Sequence, residues 1–202
     1  SDINFNAKSS EDFWRSGFRY ARYNKGGAYR KWYGNNDYVI KFSKDDYLQL
    51  KNQGNHCPSE NYYFRESITW SDITTKAFGA RQSAQGAVFD VKGSCAFPTS
   101  KDFPIVISLL ASSVINYFMA ILNPSVTFQV GDLAKIPVPE NIHGAEEISS
   151  ELIQQAKFDW DELEGSFDFK FDSLVNLSIK SDSLSEAWGN LNYERESRFQ
   201  RV

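Results

Sequence analysis

Apolar residues are most concentrated in one long segment in the middle of the chain. Residues 104–122 are largely apolar, with Pro104 in a first-turn position and Asn123-Pro124 after the last apolar residue. Proline favours the first turn of a helix and ends a helix that it follows. The pattern predicts one long helix. Its internal serines, and the absence of a flanking Lys or Arg cluster, favour a buried core helix over a membrane span.

Shorter helices are expected on both sides of this segment. Ser9 precedes two acidic residues, which predicts a capped helix or an irregular entry segment. A mixed polar stretch at 45–60 predicts an outer helix that Gly54 and Pro58 stop, and Gly144 precedes an amphipathic helix near 145–157. A further helical segment begins at Leu184.

Strand patterns lie between these helices. Runs at 62–64, 68–70 and 87–91 predict short strands, within which Trp70 and Phe89 are expected in the core. Residues 126–130 and 136–139 predict a strand and an extended exit, and the turn sequence at 34–37 predicts a hairpin between 31–33 and 38–40. Strands and helices do not alternate regularly, so we expect an α+β fold with a mixed sheet and hairpins around the long buried helix.

The ends of the chain suggest that it is part of a longer polypeptide. The chain begins with Ser1, and its last segment starts a helix without a stop signal. We expect one domain over residues 1–140, followed over 141–202 by a helical, acidic linker and the start of a truncated C-terminal region.

Composition narrows the class of protein. Hydrophobic residues make up 41% of the chain and charged residues 24%, which is typical of a globular protein and excludes a wholly disordered one. Two cysteines fit reduced thiols in the cytoplasm better than a disulfide framework. Aromatic residues are abundant at 15%, so flat side chains are available for both core and binding surfaces.

The net charge of −4 conceals a strong asymmetry along the chain. Between residues 13 and 44 there are eight Lys or Arg residues against one Asp, a net charge of +7. Between residues 140 and 172 there are ten Asp or Glu residues against two Lys, a net charge of −8. The first segment can attract a polyanion, and the second should repel one.

Sequence motifs for catalysis are absent. The chain has no glycine-rich turn for S-adenosylmethionine, no Asn-Pro-Pro-aromatic sequence and no phosphate-binding loop. We therefore expect no catalytic residues here. A metal site is also not expected, because no Cys-x-x-Cys supports the scattered candidates His56, Cys57, Cys95 and His143. Asp168-Phe169-Lys170 has the acid-x-Lys form of some nucleases, but its alternation with aromatics fits a half-buried strand.

The segment 25–36 interleaves cations, aromatics, amides and glycines, each of which has a use against DNA. Composition alone leaves open a DNA-binding loop or an ordinary surface hairpin with its aromatics half in the core. If the segment is a DNA-binding loop, we expect phosphate or base contacts from Lys25, Arg30 and Lys31. We expect Tyr29, Trp32 and Tyr33 to pack on the DNA backbone or support the loop. Amide contacts are expected from Asn35 and Asn36. A second group of candidates is Arg65, Lys76, Arg81 and Gln82.

The same segment carries a family resemblance. The sequence GGAYRKWYGNNDYVI at 26–40 resembles a signature of the PglX family, the adenine-specific DNA methyltransferases of BREX phage-defence systems. Two further segments of that family are similar to FRESITWSDI at 64–73 and to KFDWD at 157–161. The long helix, together with residues 136–139, resembles the last part of target-recognition domains in single-chain restriction-modification enzymes. The family's expected Gly is replaced by Ser67, and its expected Trp by Phe167.

The resemblance, which extends over residues 25–175, implies a role in DNA recognition. A methyltransferase domain with S-adenosyl-L-methionine would precede this chain, and the chain itself would hold no cofactor. Duplex DNA, the catalytic domain and other BREX proteins would be its partners in the bacterial cytoplasm, and this region would choose which adenine is flipped. Two alternatives from other classes are a carbohydrate-binding module and a protein-docking module that uses the acidic C-terminal half.

Overall fold

The computed structural model describes residues 2–54, 57–74, 77–123 and 125–199, and it confirms the α+β class. In chain order its elements are β1 (Ile3–Asn4), α1 (Ser10–Arg15), β2 (Tyr20–Asn24), β3 (Val39–Lys41), α2 (Lys44–Asn52), β4 (Ser67–Trp70), β5 (Ala80–Ser83), β6 (Ala87–Phe89), β7 (Cys95–Ala96), α3 (Phe103–Ala111), α4 (Val114–Leu122), α5 (Val130–Leu133), α6 (Ala145–Asp161), α7 (Ser173–Ser178) and α8 (Leu184–Phe199). Short 3-10 helices lie at Glu60–Tyr62 and Val91–Gly93.

The strands form two small sheets. In the first sheet β2 is central: β3 pairs with it antiparallel, whereas β1 and β6 pair in parallel with its first and last residues. In the second sheet β4 is central, and both β5 and β7 pair with it antiparallel. Both sheets therefore bring segments that are distant in sequence side by side.

Two hydrophobic cores hold the elements together. The first core lies between the second sheet and the helices α3, α4 and α6. Leu152 is the residue of α6 that is buried in this core. The second joins α1 to the first sheet around a cluster of aromatic rings. Trp70 is 1% exposed and Phe89 is 8% exposed, so both are core residues as predicted. Trp70 Nε1 also donates a hydrogen bond of 2.8 Å to the carbonyl oxygen of Phe128.

Several elements follow the local sequence signals. Ser9 caps α1, with its hydroxyl accepting a hydrogen bond of 3.1 Å from the backbone amide of Asp12. A hydroxyl in this position satisfies an amide that the first helical turn leaves free. The predicted outer helix is α2, which ends before Gly54, and α6 begins after Gly144 as expected but continues to Asp161.

The predicted single helix over 104–122 is wrong, because the structure has two helices, α3 and α4, at a 73° bend. Ser112 has extended backbone angles, and its hydroxyl donates a 2.7 Å hydrogen bond to the carbonyl oxygen of Leu109. A serine hydroxyl that binds a nearby carbonyl competes with helical hydrogen bonding. In the described ranges no single helix is long and apolar enough to span a membrane. The bent pair of α3 and α4, taken together, reaches the length and apolar composition of a span.

The predicted hairpin is also wrong. Residues 25–38 form a long irregular connection, and β3 pairs with β2 rather than with residues 31–33. The backbone of Trp32 is instead bonded to β5: its amide donates to the carbonyl of Ala80, and its carbonyl accepts from the amide of Gln82, both at 2.8 Å. Trp32 also has a φ of 68°, which no regular strand allows.

Three predicted strands are not strands in the structure. The half-buried strand expected around 168–170 is replaced by a turn and an irregular segment at 167–171. The aromatic run at 62–64 follows a 3-10 helix, and Phe64 has a φ of 68°. Near 126–130 only an isolated bridge between Ile73 and Thr127 forms before α5 begins. At 62–64 and at 126–130 the buried aromatic residues Phe64 and Phe128 are held by tertiary packing without entering a ladder.

Candidate nucleic-acid interface

The predicted binding segment is a fixed loop between β2 and β3. The side chain of Asn35 closes the loop, because its Nδ2 atom donates a 2.8 Å hydrogen bond to the carbonyl oxygen of Ala28. Ser71 Oγ donates a 2.9 Å hydrogen bond to the carbonyl of Gly27, and Trp32 is bonded to β5 as described above. These contacts give the loop a defined shape without a regular ladder.

The second half of the loop is buried. Trp32 and Tyr33 are each 6% exposed, and Trp32 belongs to the first core. Asn35 is 9% exposed and uses its amide within the loop. In this conformation the two aromatic side chains support the loop, which is one of the two roles predicted for them, and the amide of Asn35 is not free for an outside ligand.

The cationic side chains of the loop remain accessible. Lys25 is exposed, and Arg30 and Lys31 are partly exposed, next to Tyr29, which is 36% exposed. Within the described ranges no carboxylate forms an ion pair with any of the eight Lys and Arg residues between 13 and 44. The loop therefore combines a rigid base with cations that are available to a polyanion.

Arg30 links the loop to α6. Its guanidinium carbon lies 4.7 Å from the centre of the Trp160 ring, which is within the range of a cation–π contact. Gly34 makes this approach possible: a Cβ atom there would lie 2.7 Å from Arg30 Cδ and 3.0 Å from Trp160 Cε3. A second cation–π contact places Lys157 Nζ 5.2 Å from the Tyr33 ring.

The acidic segment thus lies beside the cationic loop, but its nearest carboxylates are paired. Lys157 Nζ lies 2.6 Å from Asp161 Oδ2 and 2.5 Å from Asp168 Oδ2. Burial acts to lower the pKa of Lys157, but the hydrogen bonds to both carboxylates outweigh it and raise that pKa. Arg198 Nε lies 3.1 Å from Asp159 Oδ1. These pairs offset much of the repulsion that α6 would otherwise exert on a polyanion at the loop.

A groove of about 380 Å³ lies between the loop and α6, beside the contact of Arg30 with Trp160. Tyr29, Arg30 and Lys31 form one side, and Ala156 and Asp159 form the other. The groove is open to solvent and carries positive charge on the loop side. An extended anionic chain could therefore follow the loop without entering the protein interior.

The second predicted group is spread over different environments. Arg65 is exposed, with its guanidinium carbon 5.0 Å from the Tyr62 ring. Gln82 is partly exposed and donates a 2.7 Å hydrogen bond from Nε2 to Glu66 Oε1. Lys76 lies outside the described residues. Arg65 thus remains accessible, whereas the amide of Gln82 already has a protein partner.

Arg81 is a buried residue in this structure. It is 2% exposed, and Nε and Nη1 have no hydrogen-bond partner among the described residues. Burial lowers the pKa of its guanidinium to about 10, against a smaller raising effect of Cys95. Other polar side chains surround it between the two sheets, among them Asn24, Ser67, Thr69 and Ser83. Its position excludes direct contact with a ligand outside the protein, so Arg81 is not carried into the proposal below.

Asn36 and Trp160 complete the picture of the site. Asn36 is partly exposed, and its side chain has no hydrogen bond to a described residue, so its amide is available and the contact expected of it stays a prediction. Trp160 was not among the predicted site residues. A tryptophan flanked by aspartates, at Asp159-Trp160-Asp161, was the available signal, but only the fold shows that it supports Arg30.

Among the described residues no three His, Cys, Asp or Glu side chains are grouped as metal ligands, and His56 lies outside them.

Fold and site together define an α+β module that presents a cationic loop on an aromatic support. Its sequence is similar to two known methyltransferases. The chain is 34% identical over 154 residues to the adenine-specific methyltransferase BrxX of Escherichia coli O9:H4 (strain HS), a match that covers 75% of this chain and 13% of that protein. It is 34% identical over 163 residues to the adenine-specific methyltransferase PglX of Lacticaseibacillus casei (strain Zhang), covering 76% and 14%.

No family model matches the chain. The two relatives nevertheless confirm the resemblance to BREX-type adenine-specific methyltransferases: the chain is homologous to a segment of these proteins. Because it spans only 13–14% of their length, it corresponds to one part of a much larger polypeptide in each case.

Proposed function

We propose that this chain recognises duplex DNA as the target-recognition region of an adenine-specific DNA methyltransferase in a BREX-type phage-defence system. The accessible, unpaired cations of the loop, Lys25, Arg30 and Lys31, carry this proposal. Arg30 and Lys31 lie in the segment that resembles the family signature, and Lys25 directly precedes it. Arg and Lys side chains of this kind neutralise phosphates and can read base edges in the major groove.

The proposal assigns chemistry and recognition to different parts of the parent. S-adenosyl-L-methionine and the catalytic groups would belong to the domain that the relatives' names imply, and this chain would position the duplex. Other BREX proteins and the bacterial cytoplasm complete the proposed context. Of the predicted contacts, those of Lys25, Tyr29, Arg30, Lys31, Asn36 and Arg65 are retained because these side chains are at least partly exposed. Trp32 and Tyr33 act as supports.

The carbohydrate-binding alternative is less well supported. A sugar platform needs exposed aromatic faces, whereas Trp32 and Tyr33 are each 6% exposed. Eight cations between residues 13 and 44 would also serve no purpose against a neutral glycan.

The direct test is binding to a labelled duplex over a series of salt concentrations. We expect the double variant Lys25→Ala/Lys31→Ala to bind more weakly, with the slope of log affinity against log salt smaller by roughly 2, since each phosphate contact contributes about 0.9. Neither side chain forms an ion pair with a described carboxylate, and the contact of Lys25 Nζ with the Tyr38 ring, 5.5 Å from its centre, lies at the surface, so removal of the two side chains leaves no buried group without a partner. In an intact parent, Arg30→Ala/Lys31→Ala should lower methylation.

The matched control is Lys101→Ala/Lys180→Ala, which removes the same charge at two exposed sites outside residues 13–44. If both double variants reduce the slope equally, binding depends on net charge rather than on this loop. Unchanged affinity and slope in the loop variant would refute the assignment.

A further inference from the structure

A cavity of about 370 Å³ lies beside Tyr33, where five separate segments meet. It is formed by the chain after β1, the middle of β2, the end of the cationic loop, the turn between β5 and β6, and the end of α6 with the turn that follows it. Its size is at the lower end of the range for small-molecule sites, about 300–1,000 Å³. The cavity is therefore large enough for one small ring system.

Aromatic rings form much of its wall. Phe5 and Phe167 pack edge to face, with ring centres 5.4 Å apart. Tyr33 and Trp160 also line the cavity, and both are otherwise buried at 6% exposure. The partly exposed Phe5 and the exposed Phe167 provide a surface on which a flat, apolar-faced ligand can stack, whereas Tyr33 and Trp160 add only the small part of their rings that is not buried.

Side-chain amides lie beside these rings. Asn6, Asn36 and Gln85 line the cavity, and each amide offers both a donor and an acceptor. Neither Asn6 nor Asn36 uses its side-chain amide in a hydrogen bond to a described residue, whereas Gln85 Nε2 makes only two long bonds of 3.4 Å. These groups can pair with the edge of a planar ligand that itself carries donors and acceptors.

The charges at the cavity balance. Arg22 Nη2 donates to the carbonyl oxygens of Ala84 and Gln85, and its guanidinium carbon lies 5.7 Å from the Phe5 ring. Arg22 and Lys157 are the nearby cations, and Asp161 and Asp168 are the nearby carboxylates. Two charges of each sign favour an uncharged ligand over a phosphate or an ammonium group. Arg22 Nε is buried without a hydrogen-bond partner among the described residues.

We propose that this cavity binds a nucleobase, a flat uncharged ring system with a hydrogen-bonding edge. Stacking on aromatic side chains together with amide pairing at the edge is the way proteins hold an unstacked base. The base could come from bound DNA, through an unpaired nucleotide beside the cationic loop, or from a free nucleoside. The first source rests on the function proposed above, and the second does not.

The first test compares a labelled duplex that contains one unpaired adenine with the same duplex fully paired. Stacking of one base corresponds to roughly tenfold tighter binding. We expect that preference in the unmodified chain. We expect it to be lost in Phe167→Ala and in Asn6→Ala, two cavity residues outside the proposed duplex contacts, with affinity for the paired duplex unchanged. Both residues are at least partly exposed, so their replacement should leave the fold intact.

The matched controls are Phe171→Ala and Asn52→Ala, an exposed aromatic and an exposed amide outside the cavity. These should keep the full preference. Equilibrium dialysis with adenosine, and with ribose as the control ligand, measures the second source. Adenosine binding that Phe167→Ala abolishes, without a preference for the unpaired base, assigns the cavity to a free nucleoside.

The outcomes separate this proposal from the proposed function. Salt-dependent duplex binding through Lys25 and Lys31, with neither a preference for the unpaired base nor adenosine binding, overturns the nucleobase site alone. Adenosine binding without any duplex binding overturns the DNA-recognition proposal alone. Equal binding of ribose and adenosine would show a sugar site and would also overturn the nucleobase assignment.

Discussion

The guanidinium group of Arg30 lies over the ring of Trp160, with 4.7 Å between the guanidinium carbon and the ring centre. This contact joins the most cationic part of the chain to its most acidic helix. The helix tolerates that position because Arg198 and Lys157 pair with Asp159 and Asp161. The loop is thus held in place by an aromatic ring, and its Lys and Arg side chains form no ion pairs with described carboxylates.

Trp160 should be essential for the fold as well as for the loop. It is 6% exposed, and truncation of a buried tryptophan costs about 3–5 kcal/mol. We expect Trp160→Ala to lower the free energy of unfolding by this amount in urea denaturation. Trp188→Ala is the control, because Trp188 is 51% exposed and should cost less than about 1 kcal/mol. Similar losses in both variants would contradict the role given to Trp160.

Gly34 should not tolerate a side chain. Its φ is 121°, and a Cβ atom would lie 2.7 Å from Arg30 Cδ and 3.0 Å from Trp160 Cε3. We expect Gly34→Ala to lower the unfolding free energy by about 1–3 kcal/mol through backbone strain, and further through displacement of Arg30. Gly54→Ala is the comparison: its φ of 77° is also positive, but no atom lies within 4 Å of the added Cβ. A larger loss at Gly54 would contradict the packing argument.

Glu60 should make stability depend on pH in the acidic range. Hydrogen bonds from Tyr47, at 2.5 Å, and from Lys51 hold the pKa of Glu60 below its usual value of 4.5. A lowered folded-state pKa means that the ionised carboxylate stabilises the fold above pH 4.5, and that this stabilisation is lost as pH falls through the lowered value.

The effect can be measured with two conservative variants. The Glu60 side chain is 39% exposed, so we expect Glu60→Gln and Tyr47→Phe each to cost less than about 1 kcal/mol at neutral pH. The difference from the unmodified chain should vanish well below pH 4.5 in denaturation experiments. Tyr62→Phe, at an exposed tyrosine, is the control. A difference that persists at low pH would show that Glu60 does not act through its charge.

The buried guanidinium of Arg81 should not contribute net stability. Its Nε and Nη1 atoms have no partner among the described residues, and burying an uncompensated charge is costly. We expect Arg81→Met to leave the unfolding free energy unchanged or higher, because methionine fills much of the same space. Arg81→Ala should lower it by about 2 kcal/mol or more by opening a cavity. If Met is as damaging as Ala, the guanidinium has partners that matter.

Local signals in the sequence predicted the elements that depend on neighbouring residues. Ser9 predicted the cap of α1, Gly144 the start of α6, and the run around Trp70 the strand β4. The cationic loop and the family resemblance could also be recognised, since both lie in consecutive residues. Capping, turn chemistry and apolar periodicity act over a few residues, and this is why such predictions hold.

Tertiary structure decided what each of these residues faces. The sequence determined that Trp32 and Tyr33 lie within a cationic segment, but only the tertiary structure shows that Trp32 pairs with β5 beside Arg81 and that all three side chains are buried. The pairing of β3 with β2 and the contact between Arg30 and Trp160 both depend on residues far apart in sequence. Burial and strand pairing are set by such long-range contacts, whose energies no local pattern contains.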